Sequence, residues 1–330
     1  MKKYLLLFLV VFLWGVLSFS YFDVGNKIAV STTDTNLSNY ETDNLSQIFI
    51  NVHASKMSPL YRKNVKLQKA FQEIGKDVVL SDMQKPQSGN FNLYIAENLD
   101  NLPKVSDKNA INILWLPIVR QSDDVTPLRD FDVIVVKSMA SFNHLKAINV
   151  RTAFIPDAIN IKSLPLRQPN GKSMFYGDNG GFSLSLYLAG QQEHSIDVYG
   201  KGFEPYWPVD EIKGDTPSLD DFSRYSAVLT DQSDDDIQNE LVNAKIIEIV
   251  ENGGVPLLRF NSAVYKIFGD ALPLYHDEKE FIDLLNQLER NSEFVLQIRK
   301  NLKFISQQWN SESQAQKFVE LFDIMQKKRR

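Results

Sequence analysis

The strongest constraint on this chain is a succession of short apolar runs separated by amphipathic stretches. "SQIFINV" (Ser46–Val52), "KDVVLS" (Lys76–Ser81), "FNLYIAE" (Phe91–Glu97), "INILWLPI" (Ile111–Ile118) and "FDVIVVKS" (Phe131–Ser138) each read as a strand, and "RTAFIPDA" closes the set. Between the first two lies "PLYRKNVKLQKAFQEIG" (Pro59–Gly75), an amphipathic helix with Pro near its start and Gly75 after its end. β-Rich runs alternating with helical stretches indicate a mostly parallel sheet covered on both faces. A chain of 330 residues exceeds the usual single domain, so two domains are expected.

The second begins after "LPLRQPNGK" (164–172), a linker containing Pro and Gly. "SMFYG" (Ser173–Gly177), "SIDVYGKG" (Ser195–Gly202), "YSAVLTD" and "VPLLRF" (Val255–Phe260) read as strands, interleaved with "FSLSLYLAGQQ" and "NAKIIEIVENGG" as helices. Further helices follow from about Glu278, ending in "SESQAQKFVELFDIM". The expected fold is α/β, with two Rossmann-like domains facing each other across a cleft: 46–163 and 173–330, the latter including a closing C-terminal helix. In open α/β sheets ligands bind beyond the carboxyl ends of the strands, so the loops after "IFINV", "SMFYG", "IDVYG" and "SAVLT" are where a site belongs.

Composition removes several classes of function. A net charge of -5 argues against a nucleic-acid partner. The absence of cysteine excludes disulfides, thiol catalysis and cysteine metal sites. His53, His144, His194 and His276 show no ligand spacing, so no metal site is expected.

At the N-terminus, Lys2 and Lys3 precede the apolar run Tyr4–Phe19, and Ser18 and Ser20 supply small residues for a peptidase. Residues 1–20 therefore read as a signal peptide or a membrane anchor, and 21–45, rich in Ser, Thr, Asn and Asp, as a tether. Either reading sends the remainder out, to the periplasm or the outer face of the inner membrane. The basic tail "KKRR" (327–330) fits either contact with anionic lipid or a solvated, frayed end.

Three stretches carry candidate chemistry. In "FYGDNGGF", Gly177, Gly180 and Gly181 lie between a strand and a helix, where backbone N–H groups can approach a phosphate. The same glycines also fit a tight turn needing positive φ. "VYGKGFEPYW" repeats the strand-then-glycine form and adds Lys201, with aromatic residues suited either to stacking on a ring or to packing. In "NAKIIEIVENGGVPLL" (Asn243–Leu258), an N-cap at Asn243 would place Lys245 in the first helical turn and Glu248 one turn on. A carboxylate there can accept two hydrogen bonds from a sugar diol. A local Lys–Glu pair on a solvated face is the plainer alternative. If the helix starts instead at Ser233, Glu240 and Glu248 both lie on it.

"NAKIIEIVENGGVPLL" resembles the K-x-x-E-x-x-x-x-G-x-P element of GT-B glycosyltransferases, especially family-4-like and spore-maturation-protein-like members. "FDVIVVKSMASFNHLKAINVRTAFIPDAIN", "IDVYGKGFE" and "FGDALPLYHDEKEFIDLLNQL" resemble further segments of the same family, which together cover roughly 90–330. The resemblance implies a nucleotide-sugar donor held mainly by the second domain, with a glycan or lipid as acceptor and no further cofactor; export would instead require a lipid-linked sugar donor or a topology inverted relative to the positive-inside expectation. It aligns Glu248 with the carboxylate that grips the donor ribose, and Glu240 with the first glutamate of the family's E-x7-E pair. The loop "GDNGGFS" lacks the Arg and Lys that neutralise the diphosphate in the family; Lys201 and Lys245 are the substitutes offered, and His53 stands where a catalytic-side histidine would be sought. Transfer of a sugar to a cell-envelope glycan or glycolipid is the leading expectation. A non-catalytic saccharide- or partner-binding protein and a two-lobed solute-binding protein are the alternatives.

Overall fold

The computed structural model describes residues 47–82, 87–100, 102–105, 107–161, 167–177, 183–205 and 207–329. The expected signal or anchor at 1–20 and the tether at 21–45 lie outside them, as do 162–166 near the linker and the loop glycines Gly180 and Gly181. Among the described residues no helix is long and apolar enough to cross a membrane.

The first lobe runs β1 (Ile48–Val52), α1 (Pro59–Glu73), β2 (Val78–Asp82), β3 (Phe91–Ile95), β4 (Ile111–Leu116), β5 (Val133–Val136), α2 (Met139–Ala147) and β6 (Thr152–Phe154). Its six strands form a parallel sheet in the order β2-β1-β3-β4-β5-β6. Every residue of β3, β4 and β5 is buried, as expected of central strands covered on both faces. Helix α1 opens on Ser58, whose hydroxyl accepts the Tyr61 N–H at 3.0 Å, with Pro59 in the first turn.

The second lobe contains β7 (Ser173–Tyr176), α3 (Leu184–Gln191), β8 (Ile196–Tyr199), β9 (Ile212–Gly214), β10 (Ala227–Leu229), α4 (Asp234–Gln238), α5 (Ala244–Glu251), β11 (Pro256–Arg259), α6 (Ser262–Phe268), β12 (Leu274–Tyr275), α7 (Glu278–Arg290) and α8 (Ser292–Trp309). Its strand order is β12-β11-β10-β7-β8-β9, all pairs parallel. Counted within the lobe this is 6-5-4-1-2-3, the doubly wound order whose direction of winding reverses between β7 and β10. The edge strands β9 and β12 are only three and two residues long, too short to show a period in sequence.

The last helix, α9 (Ser311–Arg329), departs from the expected division at 173–330: it packs on the first lobe. Phe318 is fully buried, with its ring 5.2 Å from that of Trp115 and 6.4 Å from that of Phe71, and Phe322 meets Phe91 edge-on at 5.7 Å. The chain therefore crosses between lobes twice, and the two crossings lie side by side. Ile159 N–H donates to Trp309 O (2.8 Å), Ser311 N–H to Asn160 Oδ1 (3.1 Å) and Gln314 Nε2 to Pro156 O (2.6 Å). In the basic tail, the exposed Arg329 ends α9 with its guanidinium on Asp132 at 2.7 and 2.9 Å.

Candidate functional site

The helix α5 is shaped by its own sequence. Asn243 caps it, the side chain accepting the Lys245 N–H at 2.8 Å, so Lys245 sits in the first turn. At the other end Gly253 takes φ +78°; its N–H donates to Val250 O and the Gly254 N–H to Ile249 O, a Schellman closure. The buried stripe Ile246, Ile247, Ile249 and Val250 fixes the helix against its own sheet. That orientation leaves Glu248 half-buried, lining a cavity of about 430 Å³ between the lobes.

Each wall of this cavity comes from a different part of the fold. Helix α1 contributes Arg62, Lys63 and Lys66; α5 contributes Glu248 and Glu251; the paired crossings contribute Asp157, Asn160, Ser311 and Gln314. Glu248 Oε2 accepts the Tyr176 hydroxyl at 3.3 Å, and the Lys245 ammonium lies 5.0 Å from the Tyr176 ring centroid. Tyr176 ends β7, so Glu248 and Lys245 both stand at the carboxyl side of the strand where the second sheet reverses. Glu251 Oε1 accepts the Asn160 N–H at 2.7 Å and ties α5 to the crossing.

An ion triad centred on a buried carboxylate forms part of the cavity lining. Asp157 meets Lys137 Nζ at 2.8 Å and Lys63 Nζ at 2.6 Å, and the Lys137 ammonium also sits 4.5 Å from the Trp115 ring centroid. Burial alone would raise the Asp157 pKa. The two ammonium charges and their hydrogen bonds override it and hold the carboxyl at about 2. Burial lowers the Lys137 pKa, against the pull of Asp157.

The other sequence candidates are placed differently. Glu240 does not share a helix with Glu248, because α4 ends at Gln238 and α5 begins at Ala244. Asn243 belongs to the second helix, while Ser233 caps the first with a capping box to Asp236. Glu240 lies in the turn between them at φ +49°, and its carbonyl accepts the Met139 N–H at 3.2 Å. That bond, the Ser138 hydroxyl donating to Asn239 O, and an Arg120–Asp235 ion pair at 3.3 Å dock the turn onto the first lobe. Lys201 is exposed and pairs with Asp215 at 3.4 Å, away from the cavity lining. His53 follows β1, its N–H on Ile95 O at 2.8 Å, and does not line the cavity either.

Gly177 is not at positive φ, so the tight-turn explanation does not apply to it. A Cβ there would instead come within 2.7 Å of the Phe175 ring. Its carbonyl fills the place of a Cβ on Gly200, which would approach it to 1.6 Å. The two strand ends thus meet backbone to backbone.

Two parallel six-stranded lobes, the second wound 6-5-4-1-2-3, with a cavity between them and a returning C-terminal helix, make up the GT-B glycosyltransferase fold. An α-glucosyltransferase solved in complex with UDP aligns over 85% of this chain and 99% of its own, with 12% identity and a TM-score of 0.55. The T4 phage glucosyltransferase BGT, solved with its UDP-glucose substrate, aligns over 84% and 99%, with 12% identity and a TM-score of 0.52. At this identity the likeness establishes the fold. No protein-family model matches the chain, and no curated protein matches it in sequence.

Sequence reasoning missed Arg62, Lys66 and Asp157. The signal for the first two was present: α1 has no acidic residue in its first turn and turns basic immediately after, opposite to the preference of a helix dipole. Asp157 lies inside "IPDAIN", but its burial depends on where the two crossings meet.

Proposed function

We propose that this protein is a glycosyltransferase of the family-4-like or spore-maturation-protein-like kind, transferring a sugar from an activated donor to a cell-envelope glycan or glycolipid. One observation carries the reading: Glu248 faces the inter-lobe cavity, at the carboxyl side of β7, in a GT-B fold. A carboxylate held there at the rim of the reversal point suits a diol of the donor ribose or sugar. Lys245, in the first turn of the same helix, lies against Tyr176 at the end of β7, 5.0 Å from its ring centroid. The apolar run at residues 4–19 supports export, and an exported enzyme requires a donor present outside the cytoplasm, such as a lipid-linked sugar phosphate.

The test is calorimetric titration of the full chain with UDP, GDP and ADP and their glucose conjugates. At least one should bind, and Glu248→Ala should weaken that binding by about 2–4 kcal/mol without shifting the unfolding temperature. Unchanged affinity in the variant would remove Glu248 from the site. Export is checked separately by fusing alkaline phosphatase after residue 45, which should be active in a bacterial host.

A further inference from the structure

The cavity walls are segregated by charge. On the α5 wall, Glu248 and Glu251 are three residues apart on one helical face. On the α1 wall, Arg62 and Lys66 are four apart and share a face. Lys63 is already engaged by Asp157 at 2.6 Å. Among the described residues, Arg62 and Lys66 have no carboxylate partner. Like charges at this spacing repel, and Arg62, at the end of the first turn, also opposes the helix dipole, so the pair does not stabilise α1. In sequence, the stretch after β7 from Gly177 to Ser183 contains no Arg or Lys.

We infer that Arg62 and Lys66 form a phosphate-binding wall supplied by the first lobe, so that a sugar phosphate or diphosphate bridges the cavity with its phosphate on α1 and its hydroxyls on α5. This rests on the donor reading above and adds to it the source of the counter-charge. A cavity of about 430 Å³ lies in the range that encloses small ligands. Arg62 offers a planar fork that matches two phosphate oxygens, and Lys66 a mobile point charge. Binding then draws together walls from both lobes, because each holds a different part of one molecule. The chemistry is common to a nucleoside diphosphate and to an isoprenoid-linked diphosphate.

Three probes separate the possibilities by calorimetry at fixed ionic strength: inorganic pyrophosphate, UDP and geranyl diphosphate. The wild-type chain should bind pyrophosphate, and Arg62→Gln/Lys66→Gln should weaken it about 10- to 100-fold. Arg62→Lys/Lys66→Arg should retain most of the affinity, and Glu248→Gln should leave pyrophosphate within twofold. Tighter binding of UDP than of geranyl diphosphate would identify a nucleotide source, and the reverse a lipid-linked one; either supports the wall if the double variant loses it. Equal pyrophosphate affinity in wild type and the double variant would overturn the inference and leave the donor reading intact. Loss of pyrophosphate in Lys245→Ala but not in the double variant would overturn it in favour of the second lobe. Pyrophosphate binding that depends on Arg62 and Lys66, with neither organic diphosphate bound more tightly, would keep the wall and sink the donor reading. If wild type binds none of the three, both fall.

Discussion

Replacing Asp157 with Asn removes the central charge of the ion triad while keeping the shape of the side chain. Its two partners then fare differently. The Lys63 side chain is 48% exposed and can turn to water, whereas that of Lys137 is 14% exposed and cannot. The cost is therefore that of one stranded ammonium, about 3–5 kcal/mol for a buried pair that loses one member. A second route gives a similar ceiling: a lysine of ordinary pKa that escapes by deprotonating at pH 7 costs about 4.6 kcal/mol. Urea unfolding should show the midpoint falling with the slope unchanged. Asp157→Asn/Lys137→Met should recover most of the loss, since an apolar replacement of the whole pair is close to neutral. A loss below about 1 kcal/mol in the single variant would show that Lys137 is already solvated or neutral, and the electrostatic account of the cavity floor would be wrong.

The same group sets a pH dependence. Asp157 has a folded pKa of about 2, below its ordinary 3.8, so its contribution is present above pH 4, declines as pH falls through 2, and amounts to about 2 kcal/mol that Asp157→Asn should not lose on acidification. Phe318→Ala should cost about 3–5 kcal/mol by opening a hole between Trp115 and Phe71, and amide exchange should show α9 released first; a change under about 1 kcal/mol would mean the helix is not anchored there. Gly200→Ala should cost at least about 2 kcal/mol by thermal unfolding, because a Cβ would lie 1.6 Å from Gly177 O at φ +145°; a variant as stable as wild type would refute that backbone approach.

The sequence by itself determined the central strands and the ends of α1 and α5, though not the short edge strands β9 and β12 or the separate helix α4. The strands β3, β4 and β5 are buried throughout and are written as nearly unbroken apolar runs. Helix α5 begins at the Asn243 cap and ends at Gly253 because capping and left-handed closure act within a few residues. The direction of Glu248 follows from the same local pattern, since the apolar stripe fixes which face of α5 is buried. Tertiary structure alone decided the rest. The bond from Asn160 to Glu251 joins residues 91 apart, and Gln314 reaches Pro156 across 158. Such pairs depend on where two chain crossings meet, and no local period encodes that. The apolar stripe of α9 would fit either sheet; Phe71, Phe91 and Trp115 offered the rings that met Phe318 and Phe322, and drew it to the first lobe. A charged residue, finally, looks the same in sequence whether it faces water or a cavity. Arg62 and Lys66 came to line a cavity only once the lobes were set opposite each other, and Asp157 met its two lysines only once α1 and the ends of β5 and β6 were packed together within the first lobe.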